Sequence, residues 1–286
     1  MEKKLPYILI IPVVGYLFSI TIFPLIYSLV LSFHSYNLAS DTSGMTFVGI
    51  SNFIKIIKDQ YFWASTKTTF IYVALSVFFT FSIGFAIALL FNRDISGKNT
   101  FRTMIIVPMM LTPAVIGLFW RLLLNADFGP INYYLELFGI PKQNWLGDPS
   151  LALLTVIFVD IWQWSPFVFL ILFAGLQSIP VEPFEAAKVD GASKWQILRY
   201  ITIPFLRPAI LVVLLLRIID TFKAFDKIYV LTLGGPGFST ETLSLYTYKK
   251  GFKWFDMGYA SALSYIMLII VVIITNFLIK GLSKEV

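Results

Sequence analysis

Four polar residues stand inside otherwise apolar runs: Asp160, Gln163, Arg217 and Asp220. The first two fall in LTVIFVDIWQWSPFVFL (154–170), where Trp162 and Trp164 flank Gln163. Flat aromatic faces beside an amide and carboxylates are groups that hold a sugar. The same groups also serve as hydrogen-bonded glue between packed helices. Tyr259, Ser261 and Ser264 bring hydroxyls to the last apolar run and carry the same two readings. As a hydrolytic centre the set is poor. Asp160 and Asp220 are the available acidic pair, and no nucleophile–base motif accompanies them. With one histidine, His34, and no cysteine, thiolate chemistry, disulfides and a His-rich metal site are excluded.

The other chemistry-bearing stretch is EAAKVDGASKWQILRYITIPFLRP (185–208). It reads as two short helices. Pro183 suits the first helical position, and Glu182 and Glu185 suit the positive end of the helix dipole. Gly191 fits a left-handed stop, and Ser193 fits the cap of a second helix running to Tyr200 or beyond. Pro204 then marks an elbow into the next apolar run. A first helix of two turns, about 12 Å long, is not stable alone. It needs a surface to dock on. Ala186 and Ala187 allow close approach, and Glu185 and Asp190 place carboxylates at its ends. An ordinary amphipathic helix lying on a membrane surface is the alternative reading.

The elements that position these residues follow from composition. Of 286 residues, 58% are hydrophobic and 13% charged, against about 25% charged in a soluble domain. Such a chain reads as an all-α membrane protein. Six runs are long enough to span: roughly 6–33, 68–91, 103–124, 151–176, 204–222 and 259–279. The first is too long for a signal peptide and lacks a small-residue cleavage site, so it is expected to stay attached. The whole of 1–286 is expected to form one transmembrane domain, with no repeat and no second soluble domain.

The net charge of +6 is explained by loop cations rather than by nucleic-acid binding. With both termini in the cytoplasm, Lys3, Lys4, Arg93, Lys98, Arg102, Lys188, Lys194, Arg199, Arg207, Lys280 and Lys284 all fall inside. The 185–208 stretch is then cytoplasmic. In the outer loops, 47–70 predicts a short interfacial helix using Phe53, Ile56, Ile57, Tyr61 and Phe62. Trp145 and Trp254 sit just beyond spans, at headgroup level. Lys223, Asp226 and Lys227 are expected at the outer mouth. Pro108, Pro113 and Pro166 lie inside spans, where proline kinks a helix. GGPGFST (234–240) lacks the lysine of a phosphate loop and reads as a turn.

Glu185, Ala186, Ala187, Gly191, Ile201 and Pro204 together resemble the EAA motif of bacterial ATP-binding-cassette import permeases. Asp190 also looks like the common family form, and Ile203 departs conservatively from the usual leucine. WSPFVFLILFAGLQSIP (164–180) and residues 231–270 look like carbohydrate-type permeases of the maltose and glycerol-3-phosphate kind. The resemblance covers nearly the whole chain and implies the shorter, six-span version of a type I importer permease.

It further implies that a loop at about 177–206 carries the coupling helix, 182–191. There Glu185, Ala186, Ala187, Asp190 and Gly191 would dock on an ATPase. The implied partners are a second permease, two cytoplasmic nucleotide-binding subunits carrying ATP and Mg, and an extracytoplasmic solute-binding protein. The implied place is the bacterial cytoplasmic membrane, surrounded by lipid. The chain itself is expected to be no enzyme and to hold no cofactor, metal or nucleic acid. A sugar path is expected along Asp160, Trp162, Gln163, Trp164, Asp220, Tyr259 and Ser264. Two alternatives stay open: a glycerol-phosphate solute, and an ion-coupled secondary transporter.

Overall fold

A computed structural model describes residues 5–40, 44–93 and 97–283. Lys3, Lys4 and Lys284 lie outside the described residues. The described chain is helical apart from one short antiparallel pairing, β1 (His34–Ser35) with β2 (Thr46–Phe47), and an isolated bridge between Asn37 and Asp256. It divides into two compact units. One holds the chain up to Trp63 together with Tyr246–Ile270; the other holds Ala64–Leu245 and the chain from Val271 onward.

In the first unit, α1 (Leu5–Leu17), a π-turn (Phe18–Ile22) and α2 (Phe23–Ser32) make one membrane-length helix, Ile10–Ser32. The π-turn ends just ahead of Pro24. Phe23 donates to the Phe18 carbonyl in the wider π pattern, and proline then follows without an N–H to place. The interfacial helix expected in 47–70 appears as α3 (Ser51–Lys58). Its Ile56 is fully buried, while Ile54 and Ile57 are exposed. Asn52 fixes it by donating to the carbonyls of Ser32 and His34, both at 2.9 Å.

The second unit is built around α8 (Pro149–Gln177). The apolar window of this helix is 61% buried, whereas the first span buries none of its own. Its Val168, Phe169, Leu172 and Leu176 form a core with Ala88 and Phe91 of α4 (Gln60–Phe91) and with Leu206 and Val213 of α11 (Ile203–Phe222). Two glycines let these helices touch. A Cβ on Gly84 would meet the Val168 Cβ at 2.6 Å, and one on Gly175 would meet Leu206 Cδ2 at 2.8 Å. Also in this unit are α5 (Lys98–Met110), α6 (Pro113–Leu123), α7 (Pro130–Leu137), α9 (Glu182–Val189), α10 (Lys194–Ile197) and α12 (Asp226–Thr232). Two last helices, α13 (Leu243–Tyr248) and α14 (Met257–Ser283), follow a GGPGFST segment that forms turns as expected.

Among the described residues five helices are long and apolar enough to cross a membrane, and the 103–124 run is a bent pair that makes the sixth when counted as one span. The expected roles of two prolines are corrected. Between α5 and α6 the axis turns by 98°. The cause is local: Pro113 pushes Thr112 into the extended region (ψ 145), and Leu111 is extended as well (ψ 143). Pro113 therefore starts a helix instead of kinking one. Conversely, Pro204 makes no elbow. The helix runs unbroken from Lys194 to Phe222 over 29 residues, because a second π-turn, Leu198–Thr202, precedes this proline as the first precedes Pro24.

Gly84→Val should force the α4–α8 contact apart at a cost of about 1–3 kcal/mol. Thermal unfolding of the detergent-purified protein checks it, with Gly15→Val as the control, since nothing lies within 4 Å of a Cβ there. Equal melting of the two variants would contradict the close approach.

Candidate functional site

The second unit brings Asp160 of α8, Arg217 and Asp220 of α11 and Lys227 of α12 into one ion cluster. Arg217 Nη2 lies 2.6 Å from Asp160 Oδ2, and Lys227 Nζ 2.5 Å from the other oxygen, Oδ1. Arg217 Nη1 reaches Asp220 Oδ2 at 3.0 Å. Two carboxylates and two cations cancel. Asp160, Arg217 and Lys227 are buried, while the Asp220 side chain is 52% exposed. The Trp164 ring backs the cluster, with Arg217 at 5.3 Å and Lys227 at 5.9 Å from its centroid. A balanced, hydrogen-bonded set is the form in which charges survive in an apolar bundle.

Lys227 thus corrects the expectation that it lies at the outer mouth beside Lys223 and Asp226, which are exposed. In sequence it is a loop lysine just past a span. In the fold α12 packs against α6 and α8, and the lysine points at Asp160. On the open side of the cluster, Trp164, Phe167, Leu216, Arg217, Asp220 and Lys223 line a cavity of about 340 Å³. It presents aromatic faces beside a carboxylate and an ammonium, the set that can bind a polyhydroxylated ring.

The remaining candidates go elsewhere. Gln163 is buried, and its Nε2 donates to the Leu111 carbonyl at 3.1 Å, at the break between α5 and α6. Trp162 turns away from Trp164. It meets Trp120 edge-on at 5.3 Å and lines an apolar cavity of about 500 Å³ with Phe79, Met104, Pro108 and Phe158. Trp145 donates to Asn132 Oδ1 at 2.9 Å. Tyr259 and Ser264 belong to the first unit, where the Ser264 hydroxyl closes onto the Ala260 carbonyl of its own helix.

Tyr259 takes part in a second polar centre. Its hydroxyl donates to Asp59 Oδ2 at 2.6 Å, and the Tyr246 hydroxyl donates to the same oxygen. Above them Lys250 sits against the rings of Tyr246, Trp254 and Tyr259, 5.2, 4.8 and 4.6 Å from their centroids. Burial acts to raise the Asp59 carboxyl. The two phenols, the Tyr61 amide and the Lys250 charge outweigh it and hold the group below the ordinary carboxylate range. Burial and the bond to Asp59 push the Tyr246 phenol well up. No spacing in the sequence announces this centre, because its parts are 187 and 200 residues from Asp59.

Up to Ser193 and its cap, the 185–208 stretch takes the form expected of it; only the elbow at Pro204 is missing. No residue of α9 is buried. Gly191 adopts φ +74, and the Ala192 amide reaches back to the Ala187 carbonyl at 2.9 Å, a Schellman closure. Ser193 caps the next helix. Its hydroxyl accepts from the Gln196 amide at 3.3 Å, and Gln196 Oε1 accepts from the Ser193 amide at 2.7 Å. Val181, Val189, Trp195 and Tyr200 around it stand exposed.

Removing Asp160 leaves Arg217 and Lys227 without their shared anion. Asp160→Ala should cost roughly 3–5 kcal/mol, and adding Lys227→Met should recover part of it; unfolding midpoints in nanodiscs check both. Asp59 contributes stability of the opposite pH sense from a buried cation. Its folded pKa lies below the unfolded one, so the contribution is complete above about pH 4 and is lost as pH falls through the folded value. Melting curves taken across acid pH should show this slope in the parent and a flatter one in Asp59→Asn.

Residues 80–286 match the family described as binding-protein-dependent transport system inner membrane component. The chain is 41% identical over 261 residues to a probable ABC transporter permease of Sinorhizobium fredii, covering 91% of this chain and 84% of that one. It is 33% identical over 279 residues to the trehalose/maltose transport system permease of Thermococcus litoralis, covering 98% and 94%. Its fold is that of a bacterial ABC transporter involved in the import of the acidic polysaccharide alginate, with a TM-score of 0.86 at 22% identity over 99% of this chain and 96% of that one. The chain therefore belongs to the binding-protein-dependent inner-membrane components, the multi-pass permease subunits of ABC importers.

Proposed function

We propose that the chain carries a saccharide into the cell as one of two permease subunits, and that α9 couples it to ATPases that are separate chains. What carries the coupling is the state of α9 itself: a two-turn helix with no buried residue, closed by a left-handed Gly191, and joined through Ser193 to a helix that runs unbroken to Arg217 and Asp220. A helix this short has no stability of its own and requires a docking surface. Glu185, Ala186, Ala187, Asp190 and Gly191 form the docking knob. ATP and Mg sit on two partner subunits. Both termini are cytoplasmic, and a solute-binding protein delivers from the other side. Differential binding of ATP to two conformations drives the alternation.

The solute reading rests on the cavity at Trp164, Phe167, Asp220 and Lys223, whose rings and charges suit a sugar. The relatives support it: one handles trehalose/maltose, and the alginate importer shares the fold. Asp160 stands behind this cavity as the anchor of Arg217, and Gln163 holds the α5–α6 break.

Proline cannot adopt φ +74. Gly191→Pro and Glu185→Lys should therefore abolish uptake while membrane insertion is kept, and normal uptake in both would remove α9 from the coupling role. For the solute, ATPase activity of the reconstituted complex should rise with a binding protein loaded with one saccharide from a panel of di- and oligosaccharides. Stimulation by glycerol-3-phosphate alone would replace the saccharide.

A further inference from the structure

The α4 helix carries Ser65, Thr69, Tyr72, Ser76 and Thr80 at successive steps of four, three, four and four residues. At about 100° and 1.5 Å per residue these fall within an arc of about 80° and extend about 22 Å along the axis. None of the five is more than 1% exposed. The hydrocarbon core is about 30 Å thick, so this is a polar line through most of a membrane.

The line is unusual in its bonding. Other hydroxyls on these helices close onto their own backbone: Ser82 to Phe78, Ser165 to Ile161, Thr221 to Arg217 and Thr275 to Val271. On the buried face, Thr69 does this too and also accepts the Leu243 amide at 2.8 Å. Among the described residues, the Ser65, Ser76 and Thr80 hydroxyls have no hydrogen-bond partner. The Tyr72 hydroxyl faces Asp160, and Arg217 Nε in the same cluster has no partner among the described residues. Buried polar atoms left unpaired are costly, and ordered water with two to four polar neighbours is the usual remedy.

We propose that a file of internal water molecules runs down this face of α4, from Ser65 to Thr80, and hydrates the Asp160–Arg217–Lys227 cluster where it passes Tyr72. The ligand is water rather than solute, because the face offers hydroxyls alone and no charged or stacking group but Tyr72. Its role is to keep the cluster solvated without opening it to bulk, so that Arg217 and Lys227 can exchange partners around Asp160.

Radiolytic hydroxyl labelling in heavy-oxygen water tests this on the intact ABC complex in nanodiscs, because internal water labels the side chains it touches. Phe169, fully buried in the apolar core, is the reference. Tyr72 should label severalfold faster than Phe169 if ordered water adjoins it. Ser65→Ala/Ser76→Ala/Thr80→Val should bring Tyr72 down to the Phe169 rate. Equal labelling of Tyr72 and Phe169 in the parent would overturn the file. So would fast labelling of Tyr72 that survives the triple substitution, since the water would then come from elsewhere.

Discussion

Hydrocarbon supplies no hydrogen bonds, so every polar group this chain takes into the membrane must find its partner in the protein or in water held inside it. The Asp160–Arg217 contact is where that requirement bears hardest. It joins α8 to α11, and Lys227 closes the other carboxylate oxygen from α12. Three elements are thereby held in one register by charges that could not stand there singly. The glycine contact at Gly175 brings α8 and α11 close enough for the register to be kept.

The same requirement explains how the chain tolerates its irregular backbone. The break between α5 and α6 frees the Leu111 carbonyl, and Gln163 from α8 meets it. Ahead of Pro24 and Pro204 the helix loosens into a π-turn, so that the residue before each proline still donates a bond. In the first unit the Asp59 carboxylate is met by two phenols and an amide. These departures from regular structure are matched by a specific side chain or a local change of pitch.

Much of this was legible in the sequence, and the reason is the solvent. Apolar runs of membrane length set the spans, and the Glu185–Gly191 pattern set a short helix with a left-handed end. Legibility failed where a neighbour far along the chain decides the outcome. Lys227 reads as a surface lysine until α12 is seen to fold back on α8. Pro204 reads as an elbow and Pro113 as a kink, because local rules do not say which proline a π-turn will accommodate. The Asp160, Trp164 and Asp220 candidates came together, but Trp162 and Gln163, their immediate neighbours, turned to other tasks. The Ser65–Thr80 spacing was readable in principle, since hydroxyls at helical intervals in an apolar run mark one buried face.

The uninterrupted rod from Lys194 to Phe222 has a mechanical consequence. Leu206, where the rod rests on Gly175, lies near its middle. From Lys194 to Leu206 is about 18 Å, and from Leu206 to Asp220 about 21 Å. A body pivoting there behaves as a seesaw with nearly equal arms. Whatever displacement the α9 loop imposes on one end returns at Asp220 with similar amplitude and reversed direction. A push at the α9 end and a widening at the Asp220 end then become a single movement.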